Sequence, residues 1–194
     1  MNKQLALAAL FSLSCTISNT SYAADEQPVL FTADLSNAGA TASPSPIPFY
    51  PNECAKLPAP GSDANALGKA VLLYYPKSKT LHYAIAFSGL SGPAMMSHIH
   101  SSPNNAPIVQ TFCGKPPPDV NNLGHSGHAL NGKACPLTTE GFLKGEYVLK
   151  GNPSLKMTPE QEEQQLMAGE LFINFHTCKN MPGEIKGAIV KSTK

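Results

Sequence analysis

His98 and His100 stand one residue apart in the stretch MMSHIHSSPN, residues 95–104, in a chain of 194 residues that holds six histidines. A strand sends alternate side chains to opposite faces, so the two imidazoles share one face and Ile99 takes the other. Their Cα atoms then lie roughly 6.5 to 7 Å apart, near enough for both rings to reach one metal ion. A solvated surface strand can carry the same pair. The other histidines strengthen the metal reading. LGHSGHALNG offers His125 and His128 in a glycine-bearing loop, whose backbone can bend to bring either ring inward. INFHTC puts His176 near the end of a strand, on the face it shares with Phe172 and Asn174. Sites built from imidazole alone suit copper, with zinc as the alternative, and exported proteins meet both. His82, in TLHYAIA, stands mid-hairpin with no such partner and reads as an ordinary, partly buried residue.

Other donors fit less directly. Asp119 and Glu140 lie in the same loop region as the histidine pair at 125 and 128, as ligands or as groups that orient them. Glu184, in PGEIKG, follows a turn close to His176 and is placed to brace a ligand. Each of the three also reads as a solvated charge. Met95 and Met96 flank the pair; as thioethers they favour Cu(I), and as flexible apolar side chains they equally suit packing. Cys178 and Met181 near His176 would suit a blue-copper centre, but that use of Cys178 strands another thiol in an oxidising compartment. SGLSG has leucine where a hydrolase elbow needs its serine.

The elements that must position these residues begin after the leader. Lys3, the apolar run LALAALFSLS and the small residues of SYA ending at Ala23 form a signal peptide, residues 1–23, cleaved to leave one domain over 24–194. A lipoprotein attached through Cys15 is the rival, but Ser12 stands where such signals usually carry leucine. The mature chain is therefore expected in the periplasm or secreted, without a membrane span. All fourteen basic residues of the full chain are lysine, and loss of Lys3 leaves thirteen against thirteen acids. That balance points away from nucleic acid and acidic membranes as partners, and the lack of arginine removes the usual bidentate anchors for anions. Oligomeric state is not legible. Cys54, Cys113, Cys135 and Cys178 remain after cleavage, enough for two disulfides in any of three connectivities.

The texture predicts an all-β fold: an antiparallel Greek-key sandwich or barrel with long loops and one short helix. VLFTADLS alternates like a strand. GKAVLLYYP and TLHYAIAFSGL form a hairpin across KSK. EGFLKGEYVLKG, LFINFHT and EIKGAIVKS are further strands, and APIVQTFCG is a short apolar run within loop-like sequence. Thr158, Pro159, early glutamates and Gly169 bracket the one helix signal, TPEQEEQQLMAGE. The proline-rich stretch from Ala40 to Ala66 cannot be a regular strand.

FTADLSNAG, LHYAIAFSGLSGPAMMSHIHSSP and LMAGELFINFHTCKNMPGEIKG together resemble the CHRD (chordin-type) domain family. Phe172 replaces that family's tyrosine and Lys186 its arginine. The resemblance implies an extracellular module, structural in some settings. A second resemblance is to copper–zinc superoxide dismutase, also a Greek-key barrel. It implies copper held by His98, His100, His176 and either His125 or His128, and a disulfide from Cys113 to Cys178. Superoxide would be the substrate, with Lys186 or Lys179 supplying the positive potential that an arginine gives there. The zinc subsite is incomplete, so a copper-only centre follows. A copper or zinc carrier without turnover is the other functional expectation, with the metal ion as its partner.

Overall fold

The computed structural model describes residues 26–37, 65–101, 107–114, 134–177, 179–180 and 182–193. Residues 1–23, expected to be a leader, the segment around Cys54, the stretch holding Asp119, His125 and His128, and Cys178 lie outside the described residues.

Among the described residues nine strands, one α-helix and a short 3-10 turn (Pro153–Leu155) follow in chain order: β1 (Val29–Ser36), β2 (Leu67–Tyr75), β3 (Thr80–Ser88), β4 (Ala94–His100), β5 (Ile108–Cys113), β6 (Gly141–Val148), α1 (Pro159–Ala168), β7 (Phe172–Thr177), β8 (Ile185–Ala188) and β9 (Val190–Lys191). All strand pairings are antiparallel, in the order β5-β4-β7-β8-β1-β2-β3-β6, with β9 also on β1. The first three strands form a meander. The chain then crosses to the far side for β4 and β5, returns to lay β6 beside β3, and crosses again for β7. This is a Greek-key path in a sheet curled into a nearly closed barrel.

Period-two patterning sets which face closes inward. Phe31, Ala33 and Leu35 of β1 oppose Leu72, Ala70 and Gly68 of β2, and all but the glycine belong to the buried core. Ile85 and Leu143 continue the layer through β3 and β6, and Ile99, Ile173, Phe175 and Ile185 supply it from the other half. Phe87 and Phe175 meet across the interior with ring centroids 4.9 Å apart. At the open seam Tyr83 lies over Gly145 of β6 and contacts Phe112 of β5, centroids 4.5 Å apart, so the two ends of the sheet face each other.

Cys113 is disulfide-bonded to Cys135, with Cα atoms 4.9 Å apart. This corrects the pairing of Cys113 with Cys178 implied by the dismutase resemblance. The reason is topological. β4 lies between β5 and β7 in the sheet, whereas residues 134–140 run beside the start of β4, where Ala94 N donates to Thr138 O at 2.9 Å. Cys54 and Cys178 fall outside the described residues.

The helix forms where expected. Thr158 Oγ1 accepts from Gln161 N, Gln161 Oε1 accepts from Thr158 N, Pro159 opens the first turn, and Gly169 takes the left-handed conformation at the C-terminus. It docks through Leu166 and, less expectedly, Glu162, both buried. Glu162 Oε2 accepts from Gly151 N at 2.9 Å, while Oε1 has no hydrogen-bond partner among the described residues.

Burial pushes this carboxyl up to about 7, with the backbone donors of Gly151 and Lys150 opposing. Tyr147, itself held above its ordinary value by burial and then by Glu162, faces the same spot. The folded chain keeps the Glu162 proton up to about 7, while the unfolded chain releases it near 4.5. Between those values the native state binds more protons, so this group's contribution to stability falls as pH rises and the cost is complete above 7. Glu162→Gln removes that slope. Relative to wild type it should gain about 3 kcal/mol between pH 4 and pH 8. Denaturant titrations of both proteins across this range measure it; a constant difference would contradict the assignment.

Candidate metal centre

β4 is buried along its whole length, Ala94 through His100. A strand with one wet face would alternate; this one has both faces covered. Ile99 turns inward, and His98 and His100 stand on the outer face. Two register shifts against β5, between Ser97 and His98 and between Ile99 and His100, interrupt the ladder there. Such bulges bend a strand and re-aim its side chains. On the other flank β7 pairs with a register shift between Ala94 and Met96 and then regularly: Met96 opposite His176, His98 opposite Asn174, His100 opposite Phe172. Directly opposed residues of an antiparallel pair share a face. His176 is therefore carried to the same face as the pair, diagonally across from His98.

The three rings converge. Centroids lie 5.0 Å apart for His98 and His176, and 5.9 Å apart for each of the other two pairs. His98 Nδ1 is 3.2 Å from His176 Nε2. One nitrogen from each ring lies within 4.8 Å of the others, and the residues are 1%, 3% and 7% exposed. Two nitrogens bound to one ion at about 2.0 to 2.1 Å sit roughly 2.9 to 3.4 Å apart at angles between right and tetrahedral. The closest contact matches that separation, and the all-imidazole donor set suits copper or zinc. Without an ion the same contact is a hydrogen bond between a donor and an acceptor tautomer.

Packing of the neighbouring turn holds β7 in place. Glu184, fully buried, accepts from Ser91 N, from Ser91 Oγ at 2.8 Å and from Thr177 Oγ1 at 2.6 Å. Asn180 closes the network: its Nδ2 donates to Ser91 Oγ at 2.9 Å and its backbone N to Thr177 Oγ1 at 3.1 Å. One carboxylate thus joins the approach to β4 with the residue next to His176. Asn174 donates to Pro182 O at 3.1 Å and lies against Gly183, where φ is +120° and a Cβ would fall 2.0 Å from Asn174 Oδ1. Only glycine fits there.

The structure sorts the expected site residues plainly. It gathers His98, His100 and His176, and no other such cluster of histidine, cysteine or acidic residues occurs among the described residues. His125, His128 and Asp119 lie outside those residues. Glu184 braces Thr177 rather than a ligand itself. Glu140 is exposed and apart from the cluster. His82 is exposed rather than partly buried, because its position on β3 faces outward; it lies 3.4 Å from Glu146. Lys186 pairs in register with Asn174, hence in one cross-strand row with His98, and is half-buried; Lys179 follows β7. Ser91, Thr177 and Asn180 escaped the sequence reading. Their partner lies up to 93 residues away, and no local pattern announces it.

Fold and site together define a Greek-key β-barrel domain carrying a buried three-histidine cluster on its outer face. The chain belongs to the CHRD domain family, whose family model matches residues 31–189, from β1 to the end of β8. No curated protein and no solved structure matches it. Among the described residues, no helix is long and apolar enough to cross a membrane.

Proposed function

We propose that this protein is an exported copper-binding CHRD domain that holds its ion on His98, His100 and His176. The observation that carries the reading is the convergence of three buried imidazoles, with donor atoms within 4.8 Å of one another. Three imidazoles gathered so closely form a donor set that one shared cation could bridge. Export rests on the leader at residues 1–23 and accords with the extracellular setting of the family; the periplasm or the medium is the destination.

Copper, when bound, supplies one-electron chemistry between Cu(II) and Cu(I). The chain's own contribution is to fix three donors on paired strands, to limit water around them, and to hold β7 through Glu184. The additional imidazole in this reading is His125 or His128. Zinc would occupy the same nitrogens without redox chemistry.

Superoxide disproportionation is the second reading, and the position of Lys186 favours it. Lys186 shares a cross-strand row with His98 two strands away, where its charge would draw a small anion toward the centre. A purely structural CHRD module is the reading in which the rings satisfy each other by hydrogen bonds.

Competition titration separates these. The apo protein should take about one equivalent of copper and keep it against a chelator of micromolar affinity. Superoxide consumption by the loaded protein, falling in Lys186→Ala, would support turnover. Failure to compete for copper would refute the binding reading.

A further inference from the structure

The outer face of β4 carries one more donor in line with the histidines. Met96 stands two residues before His98, on the same face, and its register partner across β7 is His176. It is 3% exposed and, like Met95, lies outside the apolar cluster that fills the barrel. Its register opposite His176 puts this thioether on the histidine side of the sheet. Gly114, just past β5, closes over it: a Cβ there would come within 2.8 Å of Met96 Cγ. Opposed residues in a strand pair have Cβ atoms roughly 4.5 to 5.5 Å apart, a span that a methionine side chain covers.

We propose that Met96 Sδ is a fourth donor to the copper held by His98, His100 and His176, and that it sets the site's preference toward Cu(I). The inference rests on the copper reading and extends it to the identity of the donor and the oxidation state. Thioether sulfur is a soft, neutral ligand that favours Cu(I) over Cu(II) and zinc, whereas imidazole serves all three. A site of three nitrogens and one sulfur holds copper in both states and is tightest in the reduced one. A methionine used only for packing would leave the two oxidation states to the imidazoles alone.

The test uses Met96→Leu, a near volume-conserving change that keeps the position filled. Copper K-edge X-ray absorption on the Cu(I)-loaded wild type should show a sulfur neighbour beside the nitrogens, and Met96→Leu should lose the sulfur while keeping the nitrogens. Competition with a chromophoric Cu(I) chelator should find Cu(I) held roughly tenfold or more weaker in the variant, with Cu(II) affinity changed less. Met95→Leu, at the neighbouring position that has no register partner on β7, should behave as wild type. Copper bound by nitrogen alone in the wild type, or equal Cu(I) affinities in wild type and Met96→Leu, would overturn the proposal. A sulfur shell lost only in Met95→Leu would overturn it too. Wild type that retains copper in neither state would overturn the copper reading itself, an outcome distinct from the others.

Discussion

Replacing His98 by alanine should weaken copper binding by at least about a hundredfold while the barrel stays folded. His98 is the hub of the cluster. Its Nδ1 makes the 3.2 Å contact to His176, and it is flanked on its own strand by His100. Loss of one nitrogen in three leaves two imidazoles of the cluster, too few to compete with a chelator. The fold should survive because the side chain stands on the outer face; the interior layer is made by Ile99, Ile173 and Phe175. His176→Ala should behave alike. His82→Ala is the control, since that ring is exposed on β3 beside Glu146. Retained copper with unchanged affinity in both cluster variants would sink the site as drawn. Circular dichroism on the same samples guards against loss of binding through unfolding.

The second large effect is on stability. Glu184→Ala should destabilise the protein by about 3 to 5 kcal/mol. The carboxylate answers three donors, from Ser91 N, Ser91 Oγ and Thr177 Oγ1, in a fully buried position. Its removal leaves those donors without their acceptor, and each orphan costs about 1 to 3 kcal/mol. Thr177 is bonded to His176 in sequence, so the variant should also hold copper more loosely. Glu184→Gln keeps the shape but turns donors toward donors, and an intermediate loss is expected. Denaturant unfolding measures both. A Glu184→Ala protein within about 0.5 kcal/mol of wild type would contradict the bracing role.

What was legible in advance was local. The helix between Thr158 and Gly169 could be read from its cap, its proline and its terminal glycine, because each satisfies a backbone requirement within four residues. The β2–β3 hairpin showed in two alternating runs across a short turn. The common face of His98 and His100 follows from the pleat alone. What stayed hidden depends on strand order and register. Nothing near His176 says that β7 inserts beside β4, or that His98 is its neighbour. The dismutase resemblance suggested a Cys113–Cys178 bridge; with β4 standing between β5 and β7, the bond goes instead to Cys135. Ser91 and Glu184 meet across 93 positions of sequence, and Glu162 reads as a surface glutamate of a helix until the sheet beneath it is placed.

The most direct measurement is metal content, by inductively coupled plasma mass spectrometry, of protein recovered from the exported fraction after copper and zinc loading and dialysis. The account predicts about one copper per chain in the wild type, none in His98→Ala or His176→Ala, and little zinc in any of the three. Wild-type protein that is folded and disulfide-bonded yet free of metal, or variants that keep a full complement, would contradict it. The three imidazoles would then be a hydrogen-bonded cluster in a structural domain.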